Sequence, residues 1–339
     1  MQEILPGIKQ LKIPIPHNPL GFTNVYLVGD GDGYLLIDAG FPSPEAFEAM
    51  QKELAEAGVK PGSISRLVIT HAHGDHIGLA GQVKEISGAK MAIHPLEARQ
   101  QALPPNNPED FARMNAEWSK ATGMPNESMR EMHHHQGRPG NRPFAPPPLP
   151  DILLEDNQEI SADGTSLRVV WTPGHSPGLI CLYDAKRKAL FSADHVLPVT
   201  TPNIGLRPGS NGHGQAESNP LGDYLRSLSK VRDLDAEIVL PAHEGVFHDL
   251  RGRVDRILEH HRRRNDEIVA SLKSGPRTAY QVSESITWMP ESGGVRFHNL
   301  AHWDQRMAVS ETIAHLQALR ATGTITRSAK GGIVYYRAE

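Results

Sequence analysis

The densest chemistry in the chain lies in His71-Ala72-His73-Gly74-Asp75-His76. His71, His73, Asp75 and His76 can all ligate a metal, and they stand directly after the apolar run Leu67-Val68-Ile69-Thr70. In extended backbone, residues two apart project the same way, so His71 and His73 can aim at one point. Past the Gly74 turn, Asp75 and His76 can reach a second. Three more ligand-type residues each follow another strand pattern. His175 lies in the Pro/Gly turn 172–178, Asp194 closes the run Phe191-Ser192-Ala193-Asp194, and His243 follows Val239-Leu240-Pro241-Ala242. An all-nitrogen-and-oxygen donor set suits zinc, iron or manganese. The only cysteine, Cys181, excludes an intrachain disulfide and a thiolate-rich zinc site. Sitting mid-strand, it reads as a small buried hydrophobe.

These residues need strands and turns to hold them. Strands are expected at 8–15, 24–28, 34–38, 67–70 and 90–94, with a Gly/Asp hairpin turn at 29–33. Helices are expected at 44–58, with Ser43 capping before Pro44, and at 78–87. This strand–helix alternation predicts a layered α/β domain. Residues 95–150 break it with helical pieces at 95–102, 108–121 and 126–134 between Pro/Gly/Asn-rich stretches. They read as an insertion, either a lid or binding loop or a plain surface excursion, in which Met129, Met132 and His133-His134-His135 could meet an acyl chain or merely form polar surface. Strands resume at 152–154, 166–171, 178–183, 188–193 and 237–240, with a long loop at 203–217 and a helix at 220–231. A helix at 249–273 carries His260-His261-Arg262-Arg263-Arg264, a charged run that reads first as a solvated face capping the catalytic domain and otherwise as a contact to phosphate of RNA or a CoA-type carrier. Helices at 278–286 and 304–321, then β-rich pieces at 323–327 and 332–337 around Lys330-Gly331-Gly332, suggest a small winged-helix-like module. The expected organisation is therefore a catalytic domain at 1–248 and a second domain at 249–339.

Composition narrows the function classes. In 339 residues, 38% are hydrophobic and 22% charged, enough apolar content for a core. No apolar run of about 18 residues occurs, so no membrane span is expected. The start, Met1-Gln2-Glu3-Ile4-Leu5-Pro6, lacks a basic segment followed by an apolar one, so a cytoplasmic location is expected. A formal net charge of −4 disfavours a protein that coats nucleic acid.

Taken together, the motif His71, His73, Asp75, His76, then His175, Asp194 and His243, resembles the metallo-β-lactamase superfamily in order and spacing over about residues 20–245. Leu36-Ile37-Asp38-Ala39-Gly40 looks like that family's first motif. The resemblance implies an αββα sandwich with two divalent metal ions at one edge, zinc being favoured over iron or manganese. His71, His73 and His175 would hold one ion, and Asp75, His76 and His243 the other. Asp194 would bridge them, and Asp38 would support the ligands from behind. The implied chemistry is attack by a metal-bridging hydroxide, with Asp75 orienting it or passing its proton to the leaving group.

The fold alone does not give the substrate. Asp194 stands where typical penicillin-degrading members carry Cys, which disfavours antibiotic hydrolysis. His73 replaces the Glu of the redox di-iron relatives, which favours hydrolysis over electron transfer. The long tRNA-processing insertions, the glutathione-binding pattern of glyoxalase II and the Tyr of quorum-sensing lactonases are not evident. The tail resembles a subgroup with a C-terminal winged-helix-like domain that includes endoribonucleases and thioesterases acting on acyl carriers. The leading expectation is hydrolysis of an ester or thioester in a small acyl substrate. The alternatives are a metal-dependent endoribonuclease, for which Arg262, Arg263 and Arg264 would contact phosphate, a lactonase, a one-iron persulfide dioxygenase and a catalytically dead binding module. Homo-oligomerisation stays open. Substrate contacts are unknown; Tyr183, Tyr224, His195 and His213 are candidates for an oxyanion donor by residue type only.

Overall fold

In Tyr34–Ile37, Leu36 faces one apolar cluster while Leu35 and Ile37 face another. A strand buried on both faces must lie between two layers. The computed structural model, which describes residues 1–29, 33–102, 107–125, 147–162, 164–206, 218–289 and 293–339, shows those layers. The first sheet has the order β1 (Gln2–Leu5), β2 (Ile8–Pro14), β3 (Phe22–Gly29), β4 (Tyr34–Ile37), β5 (Ile64–Val68), β6 (Lys90–Ile93) and β7 (Ile152–Leu153). Its pairings are antiparallel up to β4 and parallel from β4 to β7. The second sheet contains β8 (Glu159–Ala162), β9 (Thr165–Trp171), β10 (Ile180–Asp184), β11 (Ala189–Ala193) and β12 (Ile238–Pro241), in the order β12-β11-β10-β9-β8. Only β11 and β12 pair in parallel there.

One face of the first sheet meets the second sheet. Tyr26, Val28, Leu35, Ile37 and Val68 pack with Leu167, Val169, Leu182, Phe191 and Leu240. The other face, with Leu27, Leu36 and Leu67, packs against Met50 and Leu54 of α1 (Pro44–Glu56). The Ser43 side chain accepts a 3.1 Å bond from the Ala46 N–H and caps α1 as expected. The helix expected at 78–87 is α3 (Ala80–Ser87), preceded by a short helical turn, α2 (Gly74–Ile77), that was not expected. The chain breaks at Gly78, where a Cβ would come within 2.3 Å of Gly74 O and of the Pro42 ring. α4 (Pro95–Ala102) follows β6.

Strand direction decides where chemistry can collect. β4, β5 and β6 run the same way, and so do β9, β11 and β12. Asp38, His71, His175, Asp194 and His243 all follow the carboxyl ends of such strands, where open α/β sheets place their ligands.

By its internal contacts the chain falls into two units. One is Met1–Pro104, Arg142–Pro202 and Ser227–Val254; the other is Pro105–Asn141, Asn203–Arg226 and Asp255–Glu339. The sequence boundary at 248/249 is a single cut, whereas this division is discontinuous. α6 (Pro220–Arg232) and α7 (Leu250–Leu272) each run from one unit's residues into the other's. The second unit holds α5 (Pro108–Thr122), α8 (Ala279–Ser285), α9 (His302–Ala321) and the hairpin of β13 (Ile325–Lys330) and β14 (Ile333–Ala338). Its core joins Trp288, Phe297, Val309, Leu316, Ile325 and Tyr336. Thr278 and Gln281 form a reciprocal capping box on α8. Most of α9 from Ala308 to Leu319 is buried, so it is a core helix and not a surface reader of nucleic acid. The helix expected at 126–134, Met129, Met132, His133–His135, His213 and the tip of the 29–33 turn lie outside the described residues.

The arginine run on α7 differs from the phosphate-contacting reading. Arg262 pairs with Glu259 at 2.7 Å and Asp266 at 2.6 Å, and Arg263 pairs with Glu259 at 2.7 Å. Arg264 points the other way. It is buried, lies 4.2 Å over the Trp288 ring and sits 3.6 Å from Glu311. Beside it, His315 Nδ1 donates to Asn265 Oδ1 at 2.7 Å, leaving Nε2 to accept from His261 Nδ1 at 3.3 Å. Burial, with the charges of His260 and Arg264, pushes His261 down to about 3. Burial and the same neighbours hold His315 well below the ordinary histidine value. Both rings fold neutral, while unfolded histidine takes up a proton near pH 6.5. Below that pH the unfolded chain binds protons that the fold refuses, so stability falls. These two rings are expected to lower the thermal midpoint between pH 7 and pH 5. The drop should be shallower in the H261Q/H315Q variant; an equal slope in scanning calorimetry would contradict this account.

Candidate metal centre

Two polar clusters form where the strand ends meet. His71 Nε2 and His175 Nε2 each lie 2.9 Å from His73 Nδ1. These spacings approach the ~3.3 Å edge of a tetrahedron with ~2.0 Å metal–nitrogen bonds. Asp194 Oδ2 completes this group, 3.4 Å from His175 Nε2 and 3.9 Å from His71 Nε2. In the second group, Asp75 Oδ2 lies 3.4 Å from His243 Nε2 and 3.8 Å from His76 Nε2. Asp194 touches this group as well, with Oδ1 3.3 Å from His243 and Oδ2 3.5 Å from His76. All seven residues expected from the motif are thus brought together, and each group could hold a metal ion.

The backbone and its neighbours aim the rings. Asp38 accepts from Thr70 N–H at 2.8 Å, Thr70 Oγ1 at 2.9 Å and His76 Nδ1 at 2.8 Å. Having given its proton to Asp38, Thr70 Oγ1 can accept from His71 Nδ1 at 3.2 Å. His243 Nδ1 donates to Phe22 O at 3.0 Å. Each of these rings therefore uses Nδ1–H as an anchor and turns Nε2 inward. Asn24 Nδ2 donates to Pro241 O and Glu244 O, and Tyr26 Oη donates to Pro241 O, so β3 holds the His243 turn.

The centre also holds backbone strain. Asp38, Ala193 and Glu244 have φ of 63°, 47° and 66°. Non-glycine residues in this left-handed region cost about 1–3 kcal/mol each and persist where surroundings over-determine them. Ala193 O accepts from Ala242 N–H at 3.1 Å and ties the Asp194 and His243 loops together.

The electrostatics call for a cation. Burial opposes the charged form of His76, but Asp194, Asp38 and Asp75 outweigh it and raise His76 well above its ordinary value. Burial likewise opposes His243, which Asp194 and Asp75 push up to about 10. Asp75 is held at about 2, and Asp194 well below the usual range, since the nearby histidines outweigh burial. His76 Nε2, His243 Nε2 and Asp194 Oδ1 are buried without a hydrogen-bond partner of good geometry. Buried polar atoms left so are rare and mark a place for an ion or water. The donors therefore fit divalent cations, which would take the place of the protons: imidazole nitrogens, carboxylates and no thiolate.

Other candidates have different work. Tyr183 Oη donates to Asp235 O at 2.8 Å. Tyr224 is fully buried, its ring 5.6 Å from His261. His195 is fully buried and pushed down to about 3 by that burial. None of the three presents a donor to solvent at the centre. Cys181 is buried and pushed up to about 12, as a mid-strand apolar thiol should be.

Some supporting residues escaped the sequence reading. Glu97, 1% exposed, accepts from Ala72 N–H and Gly178 N–H. Glu244 accepts from Val199 N–H, Thr200 N–H and Thr200 Oγ1. Arg253 donates to the carbonyls of Leu197, Val199 and Thr200. Only Thr70, next to the motif, carried a positional signal.

A sheet-on-sheet α/β fold with this His/Asp centre defines a metallohydrolase class. The profile of the metallo-β-lactamase superfamily matches residues 18–243, and the chain belongs to that superfamily. The probable metallo-hydrolase YqjP of Bacillus subtilis (strain 168) is 28% identical over 333 residues, 96% of each chain. A metallo-β-lactamase family protein of Thermus thermophilus has a solved structure that is 30% identical. It covers 99% of this chain and 100% of its own, with a TM-score of 0.78. An atrochrysone carboxyl ACP thioesterase of Aspergillus fumigatus is 27% identical over 258 residues, 76% of this chain and 46% of that protein.

Asp38 is the common acceptor for groups that orient two of the rings. Asparagine tolerates the left-handed backbone at this position but removes the charge. Asp38→Asn is expected to leave the circular dichroism spectrum unchanged and to weaken divalent-ion affinity by about 10–100-fold in chelator competition.

Proposed function

We propose that the chain is a dinuclear metallohydrolase that cleaves an ester or thioester bond in a small acyl substrate. The observation that carries this reading is the placement of Asp194 between two three-residue donor groups, with its two oxygens turned to different histidines. His71, His73 and His175 would hold one ion and Asp75, His76 and His243 the other, with Asp194 shared; zinc suits this donor set. Such a pair, when bound, supplies a nucleophile from water near neutral pH and Lewis acidity at the acyl oxygen.

The protein's own contributions follow from position. Asp75 is partly exposed and stays ionised, so it can accept a hydrogen bond from the attacking water and pass a proton toward the leaving group. Asp38 and Thr70 keep the His76 and His71 tautomers fixed through turnover. Residues 1–248 would form the catalytic part and 249–339 an accessory domain.

Two observations favour acyl over phosphodiester substrates. Arg262 and Arg263 are paired with Glu259 and Asp266, and Arg264 is buried, which leaves the run with little positive charge to offer a phosphodiester backbone. One relative is named as a thioesterase. Lactone opening uses the same acyl transfer to water.

Purified protein is expected to carry about two divalent ions per chain. It should turn over an acyl-CoA or aryl ester, and Asp75→Ala should lower kcat by roughly 10²–10⁴-fold. A panel of aryl ester, acyl-CoA, lactone and single-stranded RNA, with metal content by mass spectrometry, tests this. Cleavage of RNA alone, or a single iron with no hydrolysis, would overturn it.

A further inference from the structure

Glu97 lies outside the seven donors, yet its carboxylate reaches both loops that carry three of them. It lies in the first turn of α4, where its N–H bonds to His94 O at 3.0 Å and the side chain turns inward. Oε2 accepts the N–H of Ala72, the residue between His71 and His73, at 2.8 Å. Oε1 accepts the N–H of Gly178, three residues beyond His175, at 2.6 Å. Among the described residues Glu97 makes no ion pair, and its two oxygens are each taken by a backbone donor. Carboxylates this buried are rare unless paired.

The approach is tight from the other side as well. A Cβ at Gly178 would lie 2.8 Å from Glu97 Cγ and 2.8 Å from His94 Nδ1. Gly178 is therefore the residue that lets the His175 loop close onto the carboxylate. His76 and His243 have other anchors, Asp38 and Phe22 O, and none of Asp75, His76 and His243 bonds to Glu97.

We propose that Glu97 is a positioning residue that holds the His71/His73 loop and the His175 loop at one spacing. It thereby sets the affinity of that three-histidine group for its ion without setting that of the Asp75/His76/His243 group. This rests on the two-ion reading above. A glutamine at 97 keeps one acceptor but turns an NH₂ toward the other backbone N–H, so one loop is released. An aspartate is one methylene too short to span both.

The test is cobalt titration of the ion-free full-length chain, followed by visible absorption and chelator competition. Wild type is expected to show two binding events. In Glu97→Gln one event should weaken by about 10–100-fold while the other is unchanged. Gly178→Ala, which pushes on the carboxylate without removing it, should weaken the same event. His243→Ala should weaken the other event, and the double variant E97Q/H243A both. Excess cobalt should restore the wild-type spectrum in Glu97→Gln. Two wild-type events that Glu97→Gln and Gly178→Ala leave unchanged, or weaken equally, would overturn the role of Glu97 and leave the two-ion reading standing. A wild type with no cobalt event would overturn that reading and this inference together.

Discussion

The arrangement of the centre depends on one carboxylate accepting three hydrogen bonds. Asp38 takes Thr70 N–H, Thr70 Oγ1–H and His76 Nδ1–H. These bonds bind the end of β4 to the end of β5 and commit the hydroxyl proton of Thr70. That commitment makes Thr70 Oγ1 an acceptor for His71. Two imidazoles are thus oriented by a residue that touches neither inward-facing nitrogen. The left-handed backbone at Asp38 is the local cost of placing its carboxylate there.

Around this hub the fold satisfies the polar groups that no inward-facing atom needs. Phe22 O, Pro241 O and Glu244 O meet donors from His243, Tyr26 and Asn24. The inward atoms are the exception. There the carboxylates hold His76 and His243 charged and the histidines hold Asp75 and Asp194 ionised. In a cavity so arranged, protons and divalent cations compete for the same atoms.

That these seven side chains come together was legible in the sequence because each is a ligand-type residue placed just after an apolar strand. Asp38, Thr70 and His71 sit within or beside such runs. Glu97 was not legible: it lies in a helical pattern, where a lone glutamate reads as surface. Its position behind the ligand loop depends on β6 pairing beside β5, a long-range fact. The arginine run was legible only in part, for a related reason: Arg262 and Arg263 lie on the solvated face expected of it, and Arg264 does not. On a helix, 261, 264, 268 and 272 share one face, and His261, Arg264, Ile268 and Leu272 are all buried. The phase separated Arg264 from Arg262 and Arg263, but shared charge made the three look alike. The division into two discontinuous units was also hidden, because helices α6 and α7 run across it without a break in pattern.

The loop that follows Asp194 behaves as a fixed rim. Glu244 takes the N–H groups of Val199 and Thr200, and Arg253 donates to the carbonyls of Leu197, Val199 and Thr200. Its main chain at Leu197, Val199 and Thr200 is held by residues outside the loop, while Val199 stands 66% exposed. Replacing that side chain alters the surface a few residues from the centre without disturbing the hydrogen bonds that shape the backbone. A rim of this kind separates heritable variation in surface character from the machinery beneath it, so one scaffold can be retuned by exchanging single residues.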